Sequence, residues 1–455
     1  MNKILKKKSK DKSPHELAIK MAIALLMAVL AGSFLILCRE RLLANGNEAT
    51  WNFINRLLFQ DISKPEGADA IGIFYILGQL FINSLQLIII PMVFSSIALA
   101  MCNISDTKKL GRISSKTLLG FLATSIFALI VAGLFGFMAN RLGFFNVTVN
   151  GMSTEAEVIS SSSNPLLILV DIIPNNISTV LADNSRVLSI VFLAVVTGLS
   201  INALGEKISV LKSLLEDINN IITVFLNFVI NKFTPIAVFI LITRTFAVYG
   251  TDYLKPAMAY MITVAIAAIL FFLIGYPLFI LITTKLNPLI FMKKMMKVAL
   301  LGFSAASSAA ALSLNQKTTV EELGVSEDVA SFTIPLGMTI NMNGTAIMQV
   351  IATIFIASSS GYYISIGDII VIAILALIAS VGTPAAPGSS TIILFTVLTG
   401  MGYSNGATLI AYSLIIAINR PIDMLITCLN VTGDAATAVA VAASENCLDE
   451  SIYNS

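Results

Sequence analysis

Residues 71–102 and 117–140 each form a run without a single charged side chain. Either run is longer than the ~20 residues a helix needs to cross the hydrocarbon core of a bilayer. In lipid every backbone N–H and C=O must find its partner inside the protein, so such runs leave helices as the workable answer and exclude open sheets. Over all 455 residues, 56% are hydrophobic and only 12% charged, more apolar surface than a soluble domain of this length has to bury. The chain reads as a multi-pass membrane protein.

The net charge of +2 is less telling than where the charges stand. Lys3, Lys6, Lys7, Lys8, Lys10 and Lys12 crowd residues 1–17, a basic tail that the positive-inside rule assigns to the cytoplasm. The apolar run 21–37 lacks a small-residue cleavage site followed by a soluble domain, so it reads as a retained helix rather than a signal peptide. Cys38, Cys102, Cys428 and Cys447 show no metal-ligand spacing and no disulfide framework. The single histidine, His15, lies in the basic tail, which removes most histidine-dependent chemistry.

In order, the expected elements are a helix over 18–37, a polar connection with an amphipathic piece near 53–59, and spans over 71–102 and 117–140. The loop 106–112 is basic and fits the cytoplasmic side, whereas 146–164 carries Glu155 and Glu157 without Lys or Arg and fits the outside. Residues 166–204 read as a segmented helix, broken near Pro174 and Asp183. Spans over 221–248 and 257–284 follow, and the basic stretch 285–297 returns the chain to the cytoplasm.

The pattern then changes. Residues 302–314 are small and hydroxylic, too short to cross, with charge on both sides, which predicts a re-entrant hairpin from the cytoplasmic face. A span over 331–358 is interrupted at Asn341-Met-Asn-Gly-Thr345. A second small-residue hairpin at 379–390 has no basic flank and is expected to enter from outside. The last span carries Asn419-Arg-Pro-Ile-Asp423 through Asn430-Val-Thr-Gly-Asp434. Each half is thus a hairpin followed by a helix expected to break at an Asn- and Gly-containing motif, and the repeat is inverted. Inverted repeats with broken helices meeting near the midplane mark transporters.

Asp423, Thr427, Asn430 and Asp434 fall three or four apart, so a helix lines them along one face. Carboxylates inside a membrane helix are costly and face a cavity, a partner or an ion. The alternative for this stripe is a polar seam joining two helices. Arg420, beside Pro421 and near this stripe, could compensate some missing charge, but its offset of about 100° from Asn419 on a helix makes the domain edge the expected place.

Taken together, the serine-rich tip Ser307-Ser308, Asn341-Met-x-Gly-Thr345, Gly382-Thr-Pro-Ala-Ala-Pro-Gly388 and Asp423-x3-Thr427-x2-Asn430-Val-Thr-Gly-Asp434 resemble the dicarboxylate/amino acid:cation symporters, glutamate transporters and neutral amino acid exchangers among them. The resemblance covers nearly the whole chain. It implies an all-α polytopic membrane protein with eight transmembrane helices plus two re-entrant helical hairpins, assembled as a homotrimer in the plasma (inner) membrane with both termini cytoplasmic. Residues 18–255 would be mainly scaffold, with the third span lent to the transport domain. Residues 256–445 would be that domain: hairpin 1 at about 298–320, a broken helix at 331–358, hairpin 2 at about 368–398 and a substrate-binding helix at 406–443. Residues 446–455 would be a C-terminal tail.

Carried over residue by residue, the resemblance implies that Asp423 holds a substrate ammonium and Asn430 its carboxylate, with Ser307, Ser308, Thr345, Thr427 and the backbone of Ala385, Ala386, Pro387 and Gly388 around them. It implies one sodium site from Gly337, Asn341, Asn430 and Asp434. A second would use Thr339, Ser380, Val381 and Thr383. No cofactor, catalytic residue or nucleic-acid partner is expected, only a cation as co-substrate and lipid as surroundings. Oxygen ligands suit an alkali cation.

Departures from the family pattern carry the specificity argument. Acidic-substrate members place an arginine at the position of Ile426; other members place one in hairpin 1, where this chain has Ala306, and the acid that steadies it is here Asn419. A substrate carboxylate beside Ile426 would be desolvated and unpaired. The expected substrate is therefore a neutral amino acid, carried with sodium by elevator-type alternating access; the alternative is an acidic amino acid or dicarboxylate. The third cation site is expected to be weakened: with Thr124 and Ser125 stands Asn343 instead of aspartate, and Phe121 instead of tyrosine. Fewer sodium ions, or a proton in place of one, should follow. An intramembrane serine hydrolase using Ser307 or Ser308 lacks a histidine base in any span.

Overall fold

The computed structural model describes residues 14–63, 65–102, 108–146, 173–183, 186–249, 254–381, 383, 385 and 388–455. The tail over 1–13, most of the 146–164 loop, the start of the segmented 166–204 stretch, and Ala386 and Pro387 of the second hairpin lie outside the described residues. The described part is helical, with one isolated bridge between Val325 and Leu448.

Among the described residues twenty α-helices follow in order: α1 Pro14–Ala44, α2 Glu48–Leu58, α3 Ile73–Leu87, α4 Ile89–Cys102, α5 Lys108–Arg141, α6 Ile177–Leu181, α7 Val187–Leu204, α8 Ser209–Phe228, α9 Thr234–Tyr249 and α10 Leu254–Leu270. Then come α11 Tyr276–Thr284, α12 Pro288–Ala305, α13 Ser308–Glu321, α14 Glu327–Ile340, α15 Asn343–Ser359, α16 Ile366–Val381, α17 Ser389–Gly400, α18 Gly406–Ile418, α19 Arg420–Ser444 and α20 Glu450–Asn454.

Breaks fall where proline or a polar residue removes a helical hydrogen bond. The single span expected over 71–102 is two helices that part at Ile88, three residues before Pro91. The 221–248 span is α8 and α9 joined by a wide π turn at Val229–Phe233, just before Pro235. α10 and α11 are joined in the same way at Phe271–Gly275. The first arm of hairpin 1 starts at Pro288, so the basic stretch at 285–297 is mostly helix rather than loop. The last helix departs most from expectation. It does not break at Asn430-Val-Thr-Gly-Asp434: α19 runs through that motif, and the interruption is at Asn419, just ahead of Pro421. One glycine costs a helix about 1 kcal/mol against about 3 for proline, and packing readily offsets the smaller penalty.

Among the described residues, four helical stretches are long and apolar enough to cross a membrane: 112–141, 255–284, 327–359 and 420–444. They are not equivalent. The 327–359 stretch is wholly buried inside the protein along its most apolar window, whereas only a third of the 112–141 window is. α15 is therefore a central post and α5 a peripheral one. α19 packs on α5, α10, α11, α12, α13, α14 and α15, which places its polar stripe among protein partners, where membrane carboxylates are tolerated. Away from this centre, α1 turns Ile23, Leu26, Leu30 and Phe34 outward, an apolar face suited to lipid.

Candidate functional site

The two hairpin tips meet above α19. α12 ends at Ala306, whose φ of 48° is left-handed and whose N–H bonds Gly302 O. That conformation, unfavourable for a residue with a Cβ, turns the chain so that Ser307 can cap α13, its Oγ accepting from Ala310 N. The same Ser307 Oγ donates to Ala385 O of the second hairpin at 2.8 Å. Gly388, at φ 79°, starts the return arm α17. A tip-to-tip contact therefore closes the site.

Beneath it lies a small cavity, part of it open to solvent, whose walls include Ser307, Ser308, Thr345, Ala385, Gly388, Asp423, Ile426, Thr427 and Asn430. Every described residue expected at the substrate is thus brought to one cavity. Asp423 is 5% exposed; its Oδ1 accepts from Ser390 Oγ at 2.6 Å and from Asn419 Nδ2 at 3.2 Å. Asn419 is itself fixed, donating to Thr391 Oγ1 and accepting from Tyr260 OH. The Thr427 hydroxyl proton goes to the Asp423 carbonyl within α19, leaving its lone pairs for the cavity. The Asn430 amide holds the first turn of α15, accepting from Gly344 N and donating to Thr345 Oγ1. Ile426, 2% exposed, packs its backbone against Gly344, where an added Cβ would come within 2.5 Å of Ile426 O.

The first expected cation set also converges. Asn341 Nδ2 donates to Asp434 Oδ1 at 3.0 Å. A Cβ on Gly337 would lie 2.5 Å from that same oxygen, so the glycine is what lets the carboxylate in. Asn430 sits one helical turn before Asp434. The second set is spread over α14 and α16, which touch. Its hydroxyls are bonded locally: Thr339 to Leu336 O, Ser380 to Leu377 O and Thr383 to Ala379 O. Val381 packs on an apolar cluster of Phe121, Leu336 and Ile340.

The third set is already satisfied from within. Ser125 Oγ donates to Asn343 Oδ1 at 2.7 Å, Asn343 Nδ2 donates to Tyr276 OH at 3.2 Å, and Tyr276 OH donates to Leu429 O at 2.9 Å. Thr124 Oγ1 bonds the carbonyls of Gly120 and Phe121 and reaches Asn341 Oδ1 at 3.4 Å. The Asn343 oxygen and nitrogen, and the tyrosine hydroxyl, are all engaged without an ion. Gly433 makes room for this chain, since a Cβ there would lie 2.5 Å from Tyr276 OH.

Tyr260, Tyr276, Ser390 and Met342 were not expected here. The two tyrosines sit in a span read only as apolar, and a lone hydroxyl in such a run is the signal that would have marked them. Arg420 is a correction. Expected at the domain edge, it is 7% exposed, and its Nε has no hydrogen-bond partner.

Opposed hairpins, a broken central helix and a buried carboxylate stripe around one small cavity define a cation-coupled membrane carrier. The model of the sodium:dicarboxylate symporter family matches residues 17–444, and the chain belongs to that family. It is 28% identical over 385 residues to the proton/glutamate-aspartate symporter of Escherichia coli, covering 82% of this chain and 85% of that one. It is 26% identical over 405 residues to an excitatory amino acid transporter of Caenorhabditis elegans, covering 79% of each. To the C4-dicarboxylate transport protein of Bacillus subtilis it is 27% identical over 386 residues, covering 82% and 88%. The chain is a transporter and not an enzyme.

Proposed function

We propose that this transporter carries a neutral amino acid, driven by sodium, through elevator-type alternating access in a plasma-membrane homotrimer with cytoplasmic termini. The observation that carries the substrate reading is Ile426, apolar and buried on the cavity wall one helical turn from Asp423. Asp423 receives the substrate ammonium, and the Asn430 amide receives its carboxylate. A side-chain carboxylate lying against Ile426 would lose its water without gaining a partner, at a cost of several kcal/mol. The serine tip at Ser307 and Ser308 and the backbone at Ala385 and Gly388 close over the substrate.

For sodium, the reading rests on Gly337, Asn341, Asn430 and Asp434 as one oxygen-rich set, with Asp434 supplying charge, and on Thr339, Ser380, Val381 and Thr383 as another. At the third position Ser125 and Asn343 form a neutral hydrogen-bonded chain with Tyr276, and Thr124 beside them bonds Asn341, which favours fewer coupled ions or a proton in place of one. A second reading, transport of an acidic amino acid or dicarboxylate, is favoured by the names of the relatives. Uptake into proteoliposomes under separate sodium and proton gradients, with neutral and acidic substrates in competition, distinguishes the two. Uptake of glutamate or succinate in preference to any neutral amino acid would overturn the first.

A further inference from the structure

Arg420 carries three costs at once. It is a cation on a membrane helix, it is 7% exposed, and its Nε lacks a partner. It also stands in the first turn of a 25-residue helix, where the helix dipole disfavours positive charge. A guanidinium does not escape such costs by losing its proton, so something must offset them. The nearest acid along α19 is Asp423, three residues on and so a neighbour on the helix surface.

The groups around Asp423 are otherwise neutral. Ser390 from α17 and Asn419 from the α18–α19 joint donate to its Oδ1, while Tyr260 from α10 acts on it through Asn419. No described residue lining the cavity is a cation, and Arg420, three residues before Asp423 on α19, is the one that stands beside it. Together the two sum to zero formal charge, as does a zwitterionic amino acid.

We propose that Arg420 is a specificity-determining residue: as the counter-charge of Asp423, it sets the net charge of the substrate that the cavity accepts. It is a positioning and electrostatic residue, because it does not line the cavity. With Arg420 present, the site balances a substrate of net zero charge. With Arg420 neutralised, the site carries an uncompensated negative charge in low dielectric and is best answered by a substrate with one more positive charge. This inference deepens the neutral-substrate reading and rests on it for the identity of the wild-type substrate.

The test uses the full-length protein in proteoliposomes, with labelled alanine, serine and threonine as probes and lysine, ornithine and glutamate as competitors. Wild-type protein should take up a neutral probe, with lysine and glutamate both poor competitors. Arg420→Gln should raise the potency of lysine or ornithine relative to the neutral probe by roughly tenfold, the scale of a single buried charge at several ångströms. Arg420→Lys, which keeps the charge, should retain the wild-type ratios. Arg420→Met is the second neutral variant should Gln fold poorly, because its apolar stem fills similar space. Unchanged charge selectivity in the neutral variants, with only lower expression or thermal stability, would overturn the proposal and leave Arg420 a packing residue. A wild-type preference for glutamate would sink the neutral-substrate reading alone. In that case a one-unit shift in Arg420→Gln from glutamate toward glutamine would still support the role of Arg420.

Discussion

At the scale of single residues, the site is decided by what is missing as much as by what is present. Ile426 is apolar where a guanidinium would hold a second carboxylate, and Asn419 is an amide already engaged by Tyr260, Thr391 and Asp423. Ile426→Arg combined with Asn419→Asp should therefore create binding of aspartate, read as competition against a neutral probe. No gain in aspartate potency from the double variant would count heavily against the specificity argument. Asp434 is 1% exposed and bonded to Asn341; neutralising it in Asp434→Asn removes the charge proposed to face a cation. Sodium-driven uptake should fall by about two orders of magnitude, given the 3–5 kcal/mol typical of breaking a buried charge pair. Asn343→Asp tests the third set directly. A carboxylate there has to displace the amide donor to Tyr276, and the steepness of the sodium dependence should rise by one ion. An unchanged sodium slope would show that the Ser125–Asn343–Tyr276 chain is not what limits the stoichiometry.

The helices show how far the residues announce their own arrangement. The cavity set was legible because its members recur at helical spacing or share a tip motif. Ser307, Thr345, Asp423, Thr427 and Asn430 all reach one space. The break in α19 was not legible in that way. A glycine flanked by Asn and Asp looks like an interruption, yet Gly433 sits in continuous helix because Tyr276 OH and Asn341 occupy the space a side chain would take. The true interruption at Asn419 follows from Pro421, a local signal outweighed in the reading by the polar motif downstream. Arg420 shows the same difficulty: helical angle gives a face, but only the packing of neighbouring helices tells whether that face is outside. Between the hairpins, Ser307→Ala removes both the cap of α13 and the bond to Ala385 O. The combined loss is about 1–3 kcal/mol of closure. The expected result is a several-fold weaker apparent substrate affinity with sodium cooperativity retained. Equal affinity in this variant would mean that the tip contact does not gate the cavity.

Across the whole molecule, α15 and α19 are largely buried, whereas α1 and one side of α5 turn apolar faces outward. At one end α19 and α5 are clasped by charge. Glu445, just past α19, meets Lys116 at 2.5 Å and Arg112 at 3.3 Å, both on α5. The hydrogen bond and charge of Lys116, with Arg112 beside it, hold the Glu445 carboxyl below its usual range. A depressed carboxylate contributes stability above its unfolded pKa of about 4.3, and that contribution is lost as pH falls further through the folded value. Thermal unfolding should therefore lose a pH-sensitive component below about pH 4 in wild type and not in Glu445→Gln. The proposed homotrimer is checked by native mass spectrometry of the detergent-solubilised protein, which should register a three-chain mass.

The most direct measurement of the central claim is counterflow and uptake in proteoliposomes containing the wild-type protein, with labelled neutral amino acids set against glutamate, aspartate and succinate under an inward sodium gradient. Saturable, sodium-dependent uptake of a neutral amino acid that the three anions fail to inhibit is the predicted result. Strong inhibition by any of the anions, with their own uptake driven by the same gradient, would contradict it.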